Sequence, residues 1–346
     1  MFKLFNLFVG DIGVDLGTSR TTIYLKNKGV LINEPTIVAI NTRTDQIIAL
    51  GESALKMEGR APSHIKVIRP VVNGVVVNFE VAEKMVKNLL NRISGGAFYS
   101  ARPIIITAVP LDVTEVEKKS LEDIMLQVGA KKVFLVERPV AAAIGCNLPI
   151  QDPIASLVVE IGAGLTEIAV ISLSGIVAWR SLKIGGDSLD SAIINFIRDR
   201  HSLLVGKKTA EEIKIKIGSV FIDKPLEMKV KGRDLSTGLP REIKVNNEEF
   251  KEIILPQIKN IIENIREVIE ETPPELVSDI YERGIVLSGG VSLLQGLVKL
   301  IGEEIKAPVH LSNDASDASG SVIHGLGMIL EDFNNLKDVI IPSASD

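Results

Sequence analysis

The sequence predicts an α/β protein built from two similar halves, and three observations carry that expectation. A strand, a glycine-bearing turn and a second strand, with an acid just ahead of the turn, occur twice. The copies are Val14-Asp15-Leu16-Gly17-Thr18-Ser19-Arg20-Thr21 and Val159-Glu160-Ile161-Gly162-Ala163-Gly164-Leu165-Thr166. Each opens one half of the 346-residue chain, a length that suits roughly two domains. Elsewhere, short apolar runs of strand type alternate with amphipathic helical stretches. Two facing α/β halves of this kind would bring both turns to one cleft.

The elements follow in order. Ile12–Leu16 and Thr22–Leu25 read as strands joined by Gly17-Thr18-Ser19-Arg20-Thr21, with further strands at 37–40, 75–77 and 103–109. A helix begins near Val113, with Asp112 and Thr114 as alternative caps. A short buried strand at 133–136 precedes Pro139, which opens an Ala-rich helix. Strands at 157–161 and 167–171 flank the second turn, and helices follow at 188–200 and 210–217. A loop-and-strand region over 223–245 has turn chemistry at Ser236-Thr237-Gly238. A long helix over 247–271 is stopped by Pro273-Pro274, and a strand at 285–287 leads into Ser288-Gly289-Gly290 and a helix.

Composition excludes several classes of function. With 46% hydrophobic and 24% charged residues the chain is that of a folded protein. A net charge of −5 offers no global basic field, so no nucleic-acid partner is expected. The single Cys146 rules out an intramolecular disulfide framework or a multi-cysteine zinc site and suits a reducing compartment. His64, His201, His310 and His324 are scattered without metal-ligand spacing. No run reaches the ~18 apolar residues of a spanning helix. The start of the chain, with Phe2, Leu4, Phe5, Leu7 and Phe8 around Lys3, lacks a small-residue cleavage site and is not read as a signal peptide. It suits a helix lying in a membrane surface, or else a first strand or packed terminus.

Glycine turns expose successive backbone N–H groups, because glycine allows positive φ and close approach, and anionic oxygens suit that concavity. Two turns at one cleft would hold a polyphosphate from both sides. Asp15 and Glu160 could then hold Mg²⁺ through water, since that ion keeps most of its hydration shell. One such turn alone is also an ordinary tight hairpin. Gly289, Gly290, Val291 and Ser292 form a third cluster after a strand, which could admit a flat ring or a phosphate, or simply allow close packing. Glu211 and Lys214 share a helical face and could clamp a ribose or purine, or form a solvated pair.

The same residues resemble the actin, heat-shock chaperone and sugar-kinase superfamily, and most closely the MreB family of bacterial actins. The likeness runs through nearly the whole chain: Asn33-Glu34-Pro35, Ile68-Arg69-Pro70, Asn78-Phe79-Glu80, Ala141-Ala142-Ala143-Ile144-Gly145, Gly185-Gly186-Asp187 and Glu282 to Leu287. Gly232-Arg233-Asp234-Leu235 and Thr237-Gly238-Leu239-Pro240 distinguish it from chaperones and kinases. The resemblance implies an actin-like fold of two ribonuclease-H-like α/β lobes around a nucleotide cleft, with four subdomains. These are IA (1–32, 67–147 and 320–346), IB (33–66), IIA (148–184 and 246–319) and IIB (185–245). It implies Mg-ATP as cofactor, with Thr18, Ser19 and Arg20 in the first phosphate loop and Gly162, Ala163 and Gly164 in the second. By the same matching, Glu211, Glu212, Ile213 and Lys214 touch the nucleoside, and Gly289 to Ser292 border the adenosine. Implied partners are other copies of the chain, in head-to-tail filaments paired as antiparallel protofilaments, and the inner face of the cell membrane. Paralogous filaments and shape or motility proteins are further implied partners, and the location is cytoplasmic and membrane-peripheral. The apolar start and the Phe98-Tyr99 tip match the family's membrane-contact elements.

Departures from the family pattern cluster where the γ-phosphate belongs. The Glu that precedes the proline and helps position the attacking water is replaced by Arg138, with Glu137 one residue earlier. On a helix that is a rotation of about 100°. Leu165 stands where the family has Thr, Glu160 where it has Asp, Ala163 replaces the central glycine and Arg20 an Asn. Guanidinium is no base and Leu165 has no hydrogen bond to offer, while Arg20 adds a fork suited to phosphate. Nucleotide binding with weakened hydrolysis is therefore expected, losing one positioning group costing roughly 10²–10³ in rate. The competing readings are a fully active filament ATPase, compensated by Glu137, Glu160 or a moved water, and an actin-fold chaperone or small-molecule kinase. The chain is too short for an added peptide-binding domain and shows no sugar-binding acid.

Overall fold

The computed structural model describes residues 10–94, 102–222, 224–312 and 320–341. The chain divides into two units, Met1–Pro149 with Gly320–Asp346, and Ile150–Ser319. In chain order the first unit begins with β1 (Ile12–Leu16), β2 (Arg20–Leu25), β3 (Gly29–Pro35), β4 (Val38–Asn41) and β5 (Gln46–Leu50). It continues with α1 (Glu52–Leu55), β6 (Ile65–Ile68), β7 (Val71–Val72), β8 (Val75–Val76) and α2 (Phe79–Ser94). Then come β9 (Ile104–Val109), α3 (Glu115–Gln127), β10 (Lys132–Glu137) and α4 (Arg138–Gly145). Unit 2 comprises β11 (Ser156–Ile161), β12 (Thr166–Ser172), β13 (Gly175–Leu182), α5 (Gly186–His201), β14 (Leu203–Leu204), α6 (Lys207–Ile217), β15 (Glu227–Asp234) and β16 (Pro240–Asn246). After these follow α7 (Asn247–Glu271), α8 (Pro274–Arg283), β17 (Ile285–Ser288), α9 (Leu297–Ile305) and β18 (Val309–Leu311). The chain then returns to unit 1 with α10 (Ser321–Glu331), α11 (Phe333–Leu336) and β19 (Ile340–Ile341).

The internal echo in the sequence is an echo of topology. Unit 1 has a sheet ordered β3-β2-β1-β9-β10, extended by β19, and unit 2 a sheet ordered β13-β12-β11-β17-β18. In both, the first three strands form an antiparallel meander and the last two join it in parallel. The central strands β1 and β11 are buried along their whole length, as strands covered on both faces must be. One apolar core in unit 1 gathers Ile12, Val14, Ile23, Met85, Leu89, Ile105 and Ile124. Another in unit 2 gathers Val159, Ile168, Ile193, Ile213, Phe250, Ile258 and Leu287.

Local chemistry fixes the element ends. Thr114, not Asp112, caps α3: its hydroxyl accepts the Glu117 N–H at 3.2 Å and the Glu117 carboxylate accepts the Thr114 N–H at 2.8 Å. Asn246 and Glu249 make the same reciprocal cap on α7, and Pro273 follows its end. The turn after β15 is built by Asp234, whose Oδ1 accepts the N–H groups of Ser236 and Thr237, with Gly238 at φ 74°. Its carboxyl is lowered to about 2, chiefly by the Arg241 guanidinium and then by the Thr237 N–H. Helices α4 and α10 touch backbone to backbone. A Cβ on Gly145 would lie 1.9 Å from the Ser321 carbonyl oxygen, and one on Gly325 1.8 Å from that of Ala141. The Ala-rich sequence of α4 therefore serves close helix packing.

Three expectations need correction here. None of Gly17, Gly162 and Gly164 has positive φ. Glycine is required at Gly17 because a Cβ would come within 2.9 Å of the Arg20 carbonyl across the hairpin. The third glycine cluster opens a 3₁₀ turn, Gly290–Leu293, and the α-helix waits until Leu297. Finally, Glu137 is the last residue of β10 and the extended N-cap of α4, so helical rotation does not relate it to Arg138.

Candidate functional site

In unit 1 the first turn is closed by the Gly17 N–H donating to the Arg20 carbonyl at 3.0 Å, directly beyond the paired residues Leu16 and Thr21. Side chains and one backbone bond then pin it. The Thr18 hydroxyl accepts the Gly74 N–H at 2.8 Å, and the Ser19 carbonyl accepts the Thr36 N–H at 2.8 Å. Arg20, whose fork suits phosphate, donates through Nη2 to the Asn33 carbonyl at 2.6 Å and through Nε to the Asn33 side chain. The Thr18 partner was missed in the sequence although a signal existed. Asn73-Gly74 between valine pairs is a tight-hairpin dipeptide, and both residues have positive φ.

Asp15, two residues before Gly17, faces Arg138, the first residue of α4. Arg138 Nη2 lies 2.9 Å from Asp15 Oδ1, and only 9% and 11% of the two side chains are exposed. Glu137 beside them has its carboxyl raised by burial, with Lys118 pulling weakly the other way. A hydrated Mg²⁺ was expected at Asp15. The residues present do not fit one there, because that carboxylate is already compensated by a guanidinium. Among the described residues no group of three or more His, Cys, Asp or Glu is placed to hold a metal ion.

Unit 2 assembles more of the expected residues. Its turn is closed by the Gly162 N–H on the Leu165 carbonyl at 2.8 Å. The carbonyls of Gly162 and Ala163 accept the Gly186 and Asp187 N–H groups at 3.0 and 2.8 Å, so the first turn of α5 holds the hairpin. Gly185 and Gly186 permit that approach: a Cβ on Gly185 would meet Ala163 backbone at 2.6 Å. A Cβ on Gly186 would meet Lys214 Nζ at 3.0 Å and Ala163 Cα and Val291 Cγ2 at 3.5 Å. Turn, helix start, α6 and the 3₁₀ turn therefore meet at one point. Glu160 lies under it, with its Oε1 2.9 Å from where a Gly289 Cβ would be, and Glu167 directly opposite on β12. Gly289 has φ 83°, and Ser292 is buried with its hydroxyl on the Gly289 carbonyl. Gly290 is exposed with open space around it, and Leu165 is buried.

Lys214 is not a solvated partner of Glu211. Its ammonium lies 2.8 Å from Asp190 Oδ1 and donates to the Gly186 carbonyl at 3.0 Å. Burial pushes the Asp190 carboxyl up, with Lys214 pulling it down and Glu211 adding to the rise. Asp190 was missed, yet it shares the apolar stripe of α5 with Ile193, Ile194 and Ile197, where a charge calls for a partner. Ile213 belongs to the core of unit 2 and Glu212 pairs with Lys216 at 3.8 Å. The Ile213 side chain is wholly buried. The membrane candidates Phe2, Leu4, Phe5, Leu7, Phe8, Phe98 and Tyr99 lie outside the described residues.

The family model of the MreB/Mbl protein matches residues 9–338. The chain belongs to the MreB/Mbl family. It is 41% identical over 331 residues to a cell shape-determining protein Mbl of Bacillus cereus, covering 95% of this chain and 98% of that one. It is also 41% identical over 339 residues to the cell shape-determining protein MreB of Escherichia coli K12, covering 96% of each. The crystal structure of MreB 5 of Spiroplasma citri bound to AMPPNP superposes with a TM-score of 0.88 at 33% identity, over 94% of this chain and 96% of that one. The MamK double helical filament, at 21% identity and TM-score 0.78 over 92% and 98%, shows the shared fold alone. This family member has an actin-like fold. No helix among the described residues is long and apolar enough to cross a membrane.

Proposed function

We propose that the chain is an ATP-binding actin homologue that polymerises on the inner face of the cell membrane and governs cell shape, with ATP hydrolysis weakened. The observation that carries this reading is the meeting of Ala163, Gly186, Lys214 and Val291 above the buried acid Glu160, in a member of this family. Backbone approached that closely by glycine suits a phosphate or a flat ring. Its relative MreB5 of Spiroplasma citri has been solved with AMPPNP and with ADP. The curated relatives carry cell-shape names.

Self-association finds support at the tip of the β14–β15–β16 sheet. Leu204, Leu235 and Leu239 are exposed there by 38, 48 and 65%, around the turn that Asp234 stiffens. A rigid apolar tip on a charged sheet is a natural end-to-end contact. Side chains support weakened hydrolysis: Leu165 offers no hydroxyl and Arg138, a permanent cation beside Asp15, cannot act as a base. ATP then acts by binding the assembly-competent state better, which shifts populations without turnover.

Sedimentation with ATP, paired with single-turnover phosphate release, tests the reading. Pelleted filaments with slow release are expected, and a persistently monomeric protein would end it. Arg138→Glu with Leu165→Thr should speed release by roughly 10²–10³. An unchanged rate places the deficit elsewhere. Deleting residues 1–9 and changing Phe98 and Tyr99 to Ser should abolish liposome co-sedimentation, since filaments multiply weak apolar contacts.

A further inference from the structure

We infer that the Arg138 guanidinium takes the place of the divalent cation at the first turn, so that this chain takes up ATP without depending on Mg²⁺. The inference rests on the nucleotide-binding reading and deepens it to the charge that faces the phosphates. Asp15 lies in the buried strand β1, two residues before the first turn, and its carboxylate lies 2.9 Å from Arg138 Nη2. Both residues are 8% exposed, so the pair is held in surroundings that screen charge poorly. Arg138 also begins α4, whose N-terminal end carries its own partial positive charge. A cation at that helix position is unfavourable unless anions offset it. Asp15 offsets one unit, and a polyphosphate at the adjoining turn would offset more.

A hydrated Mg²⁺ brought to the same place meets the reverse situation. Its carboxylate partner is already neutralised, and a permanently protonated guanidinium repels it. The guanidinium keeps its charge at every working pH and has the planar donor geometry that matches phosphate oxygens.

Calorimetric titration of the full chain with ATP, in excess MgCl₂ and in excess EDTA, tests this directly. The two Kd values should differ by less than about threefold, whereas Arg138→Glu should make binding at least about tenfold weaker in EDTA. Asp15→Asn gives an independent sign. It frees the guanidinium for phosphate, so affinity in EDTA should hold or rise; were Asp15 a metal ligand, affinity would fall in MgCl₂ only. Wild-type binding that is lost in EDTA overturns the inference and leaves the nucleotide reading standing. So does Arg138→Glu binding as independent of Mg²⁺ as the wild type's. No binding in either buffer overturns both.

Discussion

The two hairpins at the heads of the units share one frame and differ in what holds them. In each, an acid two residues before the turn stands in a buried strand, and a glycine N–H closes the turn on the carbonyl three residues ahead, Arg20 in one and Leu165 in the other. The first turn is tied mainly by side chains, Thr18 to Gly74, Arg20 to Asn33 and Asp15 to Arg138, with one backbone bond from the Thr36 N–H to the Ser19 carbonyl. The second is tied by backbone, its carbonyls receiving the first N–H groups of α5. The acid of the first faces a guanidinium across from Thr22, whereas that of the second faces another carboxylate, Glu167. The fold demands the frame and its glycine. The charge around the turn is free to vary, and function is set there.

The largest effect that would sharpen this contrast is expected from Arg138→Leu. Removing one partner of a buried pair leaves Asp15 uncompensated and should cost about 3–5 kcal/mol in the absence of nucleotide. Adding Asp15→Asn should recover most of it, as urea unfolding of the single and double variants would show. Equal stability of Arg138→Leu and wild type would mean that the pair does not hold the first hairpin. In unit 2 the matching experiment is Lys214→Met, with a smaller cost of about 2 kcal/mol near neutrality, because the stranded Asp190 can take up a proton. Its carboxyl is already raised by burial. The folded state then binds the proton more tightly than the unfolded one, so the deficit should shrink as pH falls toward the ordinary carboxylate value. A deficit that does not change with pH would place the proton elsewhere.

Much of this was legible in the residues because repetition is a local signal. The paired acidic turns, the Thr114 cap of α3 and the proline stop of α7 each depend on a few neighbouring positions, and all are in the structure. What stayed hidden depends on partners far along the chain. That Arg138 meets Asp15 follows from β1 and β10 flanking β9, an arrangement of strands more than a hundred residues apart. Lys214 meeting Asp190 needs α5 and α6 packed together. The role of Gly17 was misread for a different reason: its sequence context is the same whether glycine serves positive φ or a close cross-strand carbonyl.

That last distinction can be measured. A Cβ on Gly17 would sit 2.9 Å from the Arg20 carbonyl, whereas on Gly162 the corresponding separation from the Leu165 carbonyl is 3.3 Å. Gly17→Ala should cost about 1–3 kcal/mol and Gly162→Ala less, about 1 kcal/mol or under, since the second hairpin needs to give by only a few tenths of an ångström. Equal costs would show that the frames are interchangeable at this position too.

The smallest expected effect separates the units by pH. Glu137 ends β10, and its carboxyl is raised above 4.5 by burial. The matching strand of unit 2, β18, ends at Leu311 with no carboxylate in that place. A raised folded-state value means that folding takes up a proton, so wild-type stability should fall as pH rises through the ordinary value toward the shifted one. Glu137→Gln removes that slope. The variant should be the more stable at pH 7, and the difference in urea midpoint should close as the solution is brought to about pH 4. A difference that widened on acidification would mean that Glu137 is stabilised as a carboxylate, with Lys118 outweighing burial.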